Sequence, residues 1–227
     1  MKKIKFFTEA GYFIGIILLA LSSAILQKCD FGLSMVIAPA YILHLKLSEI
    51  IPWFSFGMAA YTVQFIIIVI LWVVMRRFNA KYLLSFATAV FYGFTLDFFV
   101  WTLSFVSFTG LALRIILFFA GITVCAVGVA LIFNTYLPPE SYELFVKEIS
   151  KKYGFDIGKT KTVYDLSSCA IAVLLSFIFF GWLEFKGVSF GTLICALLNG
   201  TLIGCASKLL HKVFDFKDGL PLRKYFE

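Results

Sequence analysis

The chain has 227 residues, of which 61% are hydrophobic and 15% charged, with a formal net charge of +7 and a mean hydropathy of +0.96. A soluble domain is nearer ~45–50% apolar and ~25% charged, and so few polar side chains could not cover a water-exposed surface of this size. This excludes a soluble enzyme, a nucleic-acid-binding domain and a disordered chain, and leaves an integral membrane protein with room for about six helical spans.

Six apolar runs follow one another, at Tyr12–Gln27, Trp53–Met75, Tyr82–Phe105, Leu111–Leu137, Val163–Leu183 and Val188–Leu209. Each is near the ~20 residues that cross a bilayer as a helix, and all are too long and continuous for the strands of a barrel. The first run, behind Lys2, Lys3 and Lys5, has the outline of a signal peptide. It is expected to remain as a helix, because no large polar domain follows it.

Basic residues set the orientation. With the N-terminus in the cytoplasm, 16 of the 20 Lys and Arg fall on the cytoplasmic side, and only Lys28, Lys46, Arg114 and Lys186 fall outside. An even number of spans preserves that bias, so both termini are expected to be cytoplasmic. Trp53, Trp101 and Trp182 at span ends, and Trp72 near Arg76, suit the membrane–water interface.

The chain also matches itself. Tyr41, Leu43, Lys46, Phe54 and Gly57 recur 101 residues later as Tyr142, Leu144, Lys147, Phe155 and Gly158. Ser85-Phe86-Ala87-Thr88 recurs at an offset of 104 as Ser189-Phe190-Gly191-Thr192, and Phe13, Gly15, Ile16, Ala20 and Ala24 recur at 106 as Phe119, Gly121, Ile122, Ala126 and Ala130. The expected fold is therefore an all-α polytopic membrane protein of two three-helix repeats, 1–107 and 108–213, followed by a cytoplasmic tail, 214–227. Three spans per half is odd, so the second repeat is expected to be inverted relative to the first.

Between its first two spans each half carries an unusual segment, Lys28–Pro52 or Pro138–Thr162. Pro39 and Pro138-Pro139 point to short helices starting there, since proline suits the first turn. Tyr142, Phe145, Val146 and Ile149 form one helical face. Two placements are open for these segments: flat on the bilayer interface, or re-entrant with positive helix N-termini turned toward a central cavity.

Polar groups inside the spans mark the candidate solute-binding residues, because a buried charge there needs compensation. They are Asp97, Gln64 and its repeat counterpart Asp165, with Asn199 and Thr201 as neutral partners. Lys161 lies one turn before Asp165, placed for an ion pair, and Arg114 is the nearest basic candidate for Asp97. Gly11-x-x-x-Gly15 and Gly200-x-x-x-Gly204 permit close helix contacts, within the bundle or in a homodimer. The five cysteines, odd in number and without C-x-x-C, read as small apolar residues. No metal-ligand spacing, no cofactor motif and no catalytic signature such as G-x-S-x-G, H-E-x-x-H or a Walker loop is present, so neither a metal, a cofactor nor an enzyme activity is expected.

Asp30-Phe31-Gly32-Leu33-Ser34 with Pro39, Phe54-Ser55-Phe56-Gly57, and Gly187-Val188-Ser189-Phe190-Gly191-Thr192 with Gly200 resemble the YczE/YyaS/YitT-like bacterial membrane proteins. The similarity runs from the first span to the sixth, with Met35 standing where the pattern expects a proline. It implies a small multi-pass protein of the bacterial cytoplasmic membrane and carries no established activity. The expectation is a secondary transporter or exporter of a small polar or cationic solute, with the lipid bilayer as its other partner and no nucleic acid. A channel, a non-transporting membrane scaffold and the substrate-binding subunit of a larger transporter are the alternatives.

Overall fold

The computed structural model describes residues 4–107, 109–181 and 188–220. The expected Trp182 anchor, Gly187 and the basic residues Lys2, Lys3, Lys186, Arg223 and Lys224 lie outside the described residues. Within them the chain is almost entirely helical: β1 (Ile4–Phe7), α1 (Thr8–Cys29), α2 (Ala38–Leu47), α3 (Phe56–Met75), α4 (Ala80–Ser104), α5 (Leu111–Phe133), α6 (Ser141–Tyr153), α7 (Ile157–Phe180), α8 (Phe190–Val213) and β2 (Phe214–Lys217). Six of these helices are long and apolar enough to cross a membrane. They carry large apolar side chains on their outer surface, among them Ile116, Ile178 and Leu197 at 65%, 74% and 79% exposed. Such a surface suits lipid tails, which are as apolar as the side chains themselves.

Local chemistry sets the helix ends. Ser55 caps α3 by accepting from Met58 N at 3.1 Å, Asn79 caps α4 through Lys81 N at 3.0 Å, and Asp156 caps α7 through Lys159 N at 2.9 Å. The Asp156 cap starts α7 six residues before the apolar run, so its first turns are polar. α5 stops at Phe133 although apolar sequence continues, because Asn134 turns its amide back onto Ala130 O at 2.7 Å and Thr135 bonds Ile132 O at 2.8 Å.

The core is centred on α1 and α5, which pack along most of their lengths, with α4 beside α1 and α8 beside α5. Small residues permit the approach. A side chain on Gly15 would strike Ile132 and the Gly128 carbonyl, and one on Gly128 would strike the Gly15 carbonyl. Two turns further along, the Ser22 hydroxyl donates to Gly121 O at 2.9 Å. The first Gly-x-x-x-Gly pair thus serves the interior of the bundle. Gly200 and Gly204 have nothing within 4 Å of the position a Cβ would take.

The two short helices are packed into the bundle, α2 against α3 and α7, and α6 against α3, α7 and α4. Their N-terminal residues Ala38, Ala40 and Ser141 are buried, while Glu49 and Ile50 beyond α2, and Lys151 and Lys152 in α6, are exposed. The far ends emerge at opposite ends of α3. In the last turn of α2 the His44 ring lies 2.9 Å from Phe54 O, just before the start of α3. At the end of α6 Lys152 donates to Val74 O at 2.6 Å, at the finish of α3.

One element was not expected. β1 and β2 pair in parallel, Ile4 opposite Phe214 through Phe7 opposite Lys217, with Phe6 against Phe214 and Phe216. The start of α1 and the end of α8 therefore lie on the same side of the bundle, as an even number of crossings requires.

Candidate functional site

Two features meet where α2 and α3 face α6 and α7. The first is a cavity of about 980 Å³, walled by Ile66, Ile67 and Ile70 of α3 and by Val163, Ser167, Ile171 and Leu175 of α7. Pro39 and Leu43 of α2, and Tyr142, Phe145 and Ile149 of α6, complete it. Its walls are mainly aliphatic and aromatic. Asp156, Lys159 and Thr160, in and just before the first turn of α7, and the Tyr164 ring supply its polar edge.

The second feature is a buried polar knot around the turn that starts α6. Pro138 and Pro139 cannot donate backbone hydrogen bonds, and their carbonyls are taken up by side chains from two helices. Tyr12 of α1 donates to Pro138 O at 3.2 Å and also bonds the Thr88 hydroxyl, and Ser85 of α4 donates to Pro139 O at 2.8 Å. Gln64 of α3, fully buried, accepts from Ser141 N at 3.1 Å and donates to Glu140 Oε2 at 3.1 Å. Glu140 is 5% exposed, and its Oε1 has no hydrogen-bond partner; the Tyr142 hydroxyl is likewise buried without one. Glu140 lies in the segment between α5 and α7, outside the six spans. Burial, reinforced by the nearby negative charge of Glu143, pushes its carboxyl up to about 8, against the opposing Gln64 amide and the Lys161 charge.

A parallel set of contacts holds the other connecting segment. Gly191 N donates to Phe31 O at 2.8 Å, and Ser168 of α7 donates to Met35 O at 3.0 Å. Gly32 has a φ of 104° and sits against Ser189 and Thr192 so closely that a Cβ would meet the Thr192 hydroxyl. Each copy of the Ser-Phe-x-Thr motif therefore grips one connecting segment, Ser85 the one before α6 and Gly191 the one before α2.

Of the candidate residues read from the sequence, only Gln64 lies in the knot. Asp97 binds the N-terminus of α3, accepting from Gly57 N at 2.7 Å and from the Ser55 hydroxyl at 2.5 Å. Seven residues along α3 separate that point from Gln64, about 10 Å at ~1.5 Å per residue. The expected basic partner does not reach it: Arg114 donates to Cys29 O at 2.5 and 2.8 Å, lies 3.6 Å from Asp30 and stacks over the Phe31 ring. Asp165 pairs with Lys161 at 3.1 Å, and Lys161 reaches Glu143 at 3.7 Å, forming a charged triad between α6 and α7. Asn199 and Thr201 lie on α8, which packs against α5, away from α3 and α7. The Asn199 side-chain oxygen is buried without a partner, and Thr201 is exposed. Among the described residues no group of three His, Cys, Asp or Glu is placed to hold a metal ion.

Glu140 escaped sequence reasoning as a site residue because it reads as the first turn of an amphipathic helix. Its signal was position: an acidic residue immediately behind two prolines, where an apolar run breaks.

These features define a helical protein of multi-pass membrane type, with two short helices whose N-terminal residues are buried in the bundle and a cavity beside them. The chain belongs to a family of unknown function, DUF6198, whose family model matches residues 6–208. That match gives no support to the narrower YczE/YyaS/YitT-like resemblance. No curated protein and no solved structure matches the chain.

Proposed function

We propose that the protein is a secondary transporter or exporter that moves a small amphipathic organic solute across a bacterial cytoplasmic membrane with both termini inside. The cavity between α2–α3 and α6–α7 is the observation that carries this reading. At about 980 Å³ it is of the size that holds a small organic molecule. It lies between two sets of elements, one from each proposed repeat, which is where inverted-repeat transporters hold their substrates.

Three features support the inverted repeat. The contact of Gly15 with Gly128 becomes that of Gly121 with Ser22 when each member is shifted by 106 residues and the halves are exchanged. The two Ser-Phe-x-Thr motifs make reciprocal contacts, and α2 and α6 emerge at opposite ends of α3. The aliphatic walls move the solute class away from the fully polar one expected from Gln64, Asp97 and Asp165, which do not share a site. An apolar body with one polar or cationic group suits walls of Ile and Val edged by Tyr142, Tyr164 and Phe145.

The test is a panel of amphipathic amines, acids and neutral metabolites screened by thermal shift on the purified protein. Each hit is then followed by counterflow into proteoliposomes. A stabilising solute that shows counterflow, and that loses at least about tenfold in affinity when Ile67→Trp fills the cavity, is the expected result. A solute that binds and never crosses would leave a membrane receptor or scaffold instead.

A further inference from the structure

Glu140 is the one carboxylate in the described residues whose residue is nine-tenths buried and whose oxygen lacks a partner. The carbonyl and amide oxygens around it each already accept a hydrogen bond. Pro138 O is held by Tyr12, Pro139 O by Ser85, and Gln64 Oε1 by Ser141 N. A metal cation stripped of water needs several oxygens at once, and one free carboxylate oxygen does not supply them. A proton needs only one.

We propose that Glu140 is a proton-binding site and the coupling group of the transport cycle. The coupling role rests on the transport reading; proton binding does not.

The surrounding charges fit a carboxyl that is neutral in this conformation. The titratable groups facing it are Tyr12 from α1, Tyr92 from α4, Cys125 from α5, Tyr142 and Glu143 from α6, and Lys161 from α7. α3 contributes the neutral Gln64. Lys161 is the sole cation of this set and is already engaged by Asp165 and Glu143. A charged Glu140 would be left with the Gln64 amide and the favourable end of α6, too little to replace water around a buried carboxylate. Releasing the proton from Oε1 to water therefore favours a conformation in which that oxygen gains further donors. Since Gln64 ties Glu140 and Ser141 directly to α3, that change is transmitted to one wall of the cavity. Tyr142, two residues on, lines the same cavity and is carried with it.

The experiment uses the full chain purified in detergent, titrated while the infrared carboxylic C=O band is followed. The expected result is a protonated carboxyl at neutral pH that ionises near pH 8, is absent in Glu140→Gln, and remains in Glu143→Gln with a lower midpoint. A band that survives Glu140→Gln, or that ionises in the ordinary carboxylate range, overturns proton binding. A tenfold change in apparent proton affinity on replacing sodium by choline assigns the oxygen to a metal cation and also overturns it. If Glu140→Gln does not accumulate as folded protein, Gln64→Leu takes its place. Loss of the amide donor should raise the proton affinity about tenfold, and an unchanged midpoint overturns the proposal. The coupling role has its own readout. In a cysteine-free background, the maleimide labelling rate of Ile67→Cys, divided by that of an exposed reference cysteine at the same pH to remove the thiolate fraction, should change severalfold between about pH 6 and about pH 9 and be flat in the added presence of Glu140→Gln. A titrating band with pH-independent normalised labelling in both backgrounds overturns coupling and leaves proton binding standing.

Discussion

Asp97 accepts the Gly57 backbone N–H at 2.7 Å, in the first turn of α3. The carboxylate of α4 thus closes the start of its neighbour, where a helix leaves its first N–H groups unpaired and favours negative charge. Its role in the fold is structural. Asp97→Ala should lower thermal stability by roughly 1–3 kcal/mol, the cost of leaving buried donors unpaired. Asp97→Asn, which keeps an acceptor, should lose less. Gly57→Ala should be as harmful as the alanine at Asp97, because its methyl would collide with the Gly93 carbonyl and the Asp97 carboxylate. Melting curves of the three variants in detergent test this. Full stability of Asp97→Ala with loss of solute binding would return Asp97 to the binding site.

The raised Glu140 carboxyl has a consequence for stability. It ionises near 4.5 in the unfolded chain and near 8 in the folded one. Between those values the folded protein holds the extra proton, so its stability falls as pH rises across that window. The contribution is complete below about pH 4.5 and gone above about pH 8. The melting temperature of the wild-type protein should therefore decline from pH 5 toward pH 8 relative to Glu140→Gln. Parallel curves for the two proteins would contradict the assignment.

Topology is checked with single cysteines in a cysteine-free background. One at Ser107 should react with an impermeant reagent added to intact cells, whereas those at Asn79 and Lys152 should react only after permeabilisation. Lys152 is a strong position for this, because its bond to Val74 O fixes the exit of α6 at the end of α3. The reverse labelling pattern would overturn the orientation set by the basic residues.

The two Gly-x-x-x-Gly pairs should respond differently to bulk. Gly15→Leu should abolish folded protein, since its site is filled by Ile132 and the Gly128 backbone. The double variant Gly200→Leu with Gly204→Leu should leave the protomer stable, because both positions are open. If the protein is a homodimer through α8, that double variant will elute as a monomer. An unchanged elution volume removes this face from any dimer contact.

The six spans were legible because an apolar run of bilayer length has few other fates in a chain this hydrophobic. The short helices were legible from Pro39 and from the proline pair before Glu140. Less visible were the ends set by single side chains: Asp156 draws α7 back into polar sequence, and Asn134 halts α5 inside apolar sequence. That Gln64 would need a polar partner was legible, because an amide at mid-span cannot be left unpaired, and it has two in Glu140 and Ser141 N. The partner of Asp97 could not be read, because it is a backbone N–H on another helix and every residue type carries one. β1 and β2 were hidden for a related reason. Each is four residues long, and their pairing depends on the bundle bringing them together.

That pairing has a meaning for biogenesis. β1 hydrogen-bonds in parallel to a strand that follows the last span, and the Thr8 hydroxyl reaches Asp218, 210 residues away in the chain. Closing so long a loop is unfavourable for a free chain and becomes cheap only when the intervening helices have already set the ends side by side. Residues 4–7 emerge from the ribosome long before residues 214–217 and must wait, unpaired, until those have been made. The small sheet is thus a latch that can fasten only on a completely inserted chain. A truncated or wrongly threaded product would be marked by the loose, phenylalanine-rich strand at its start.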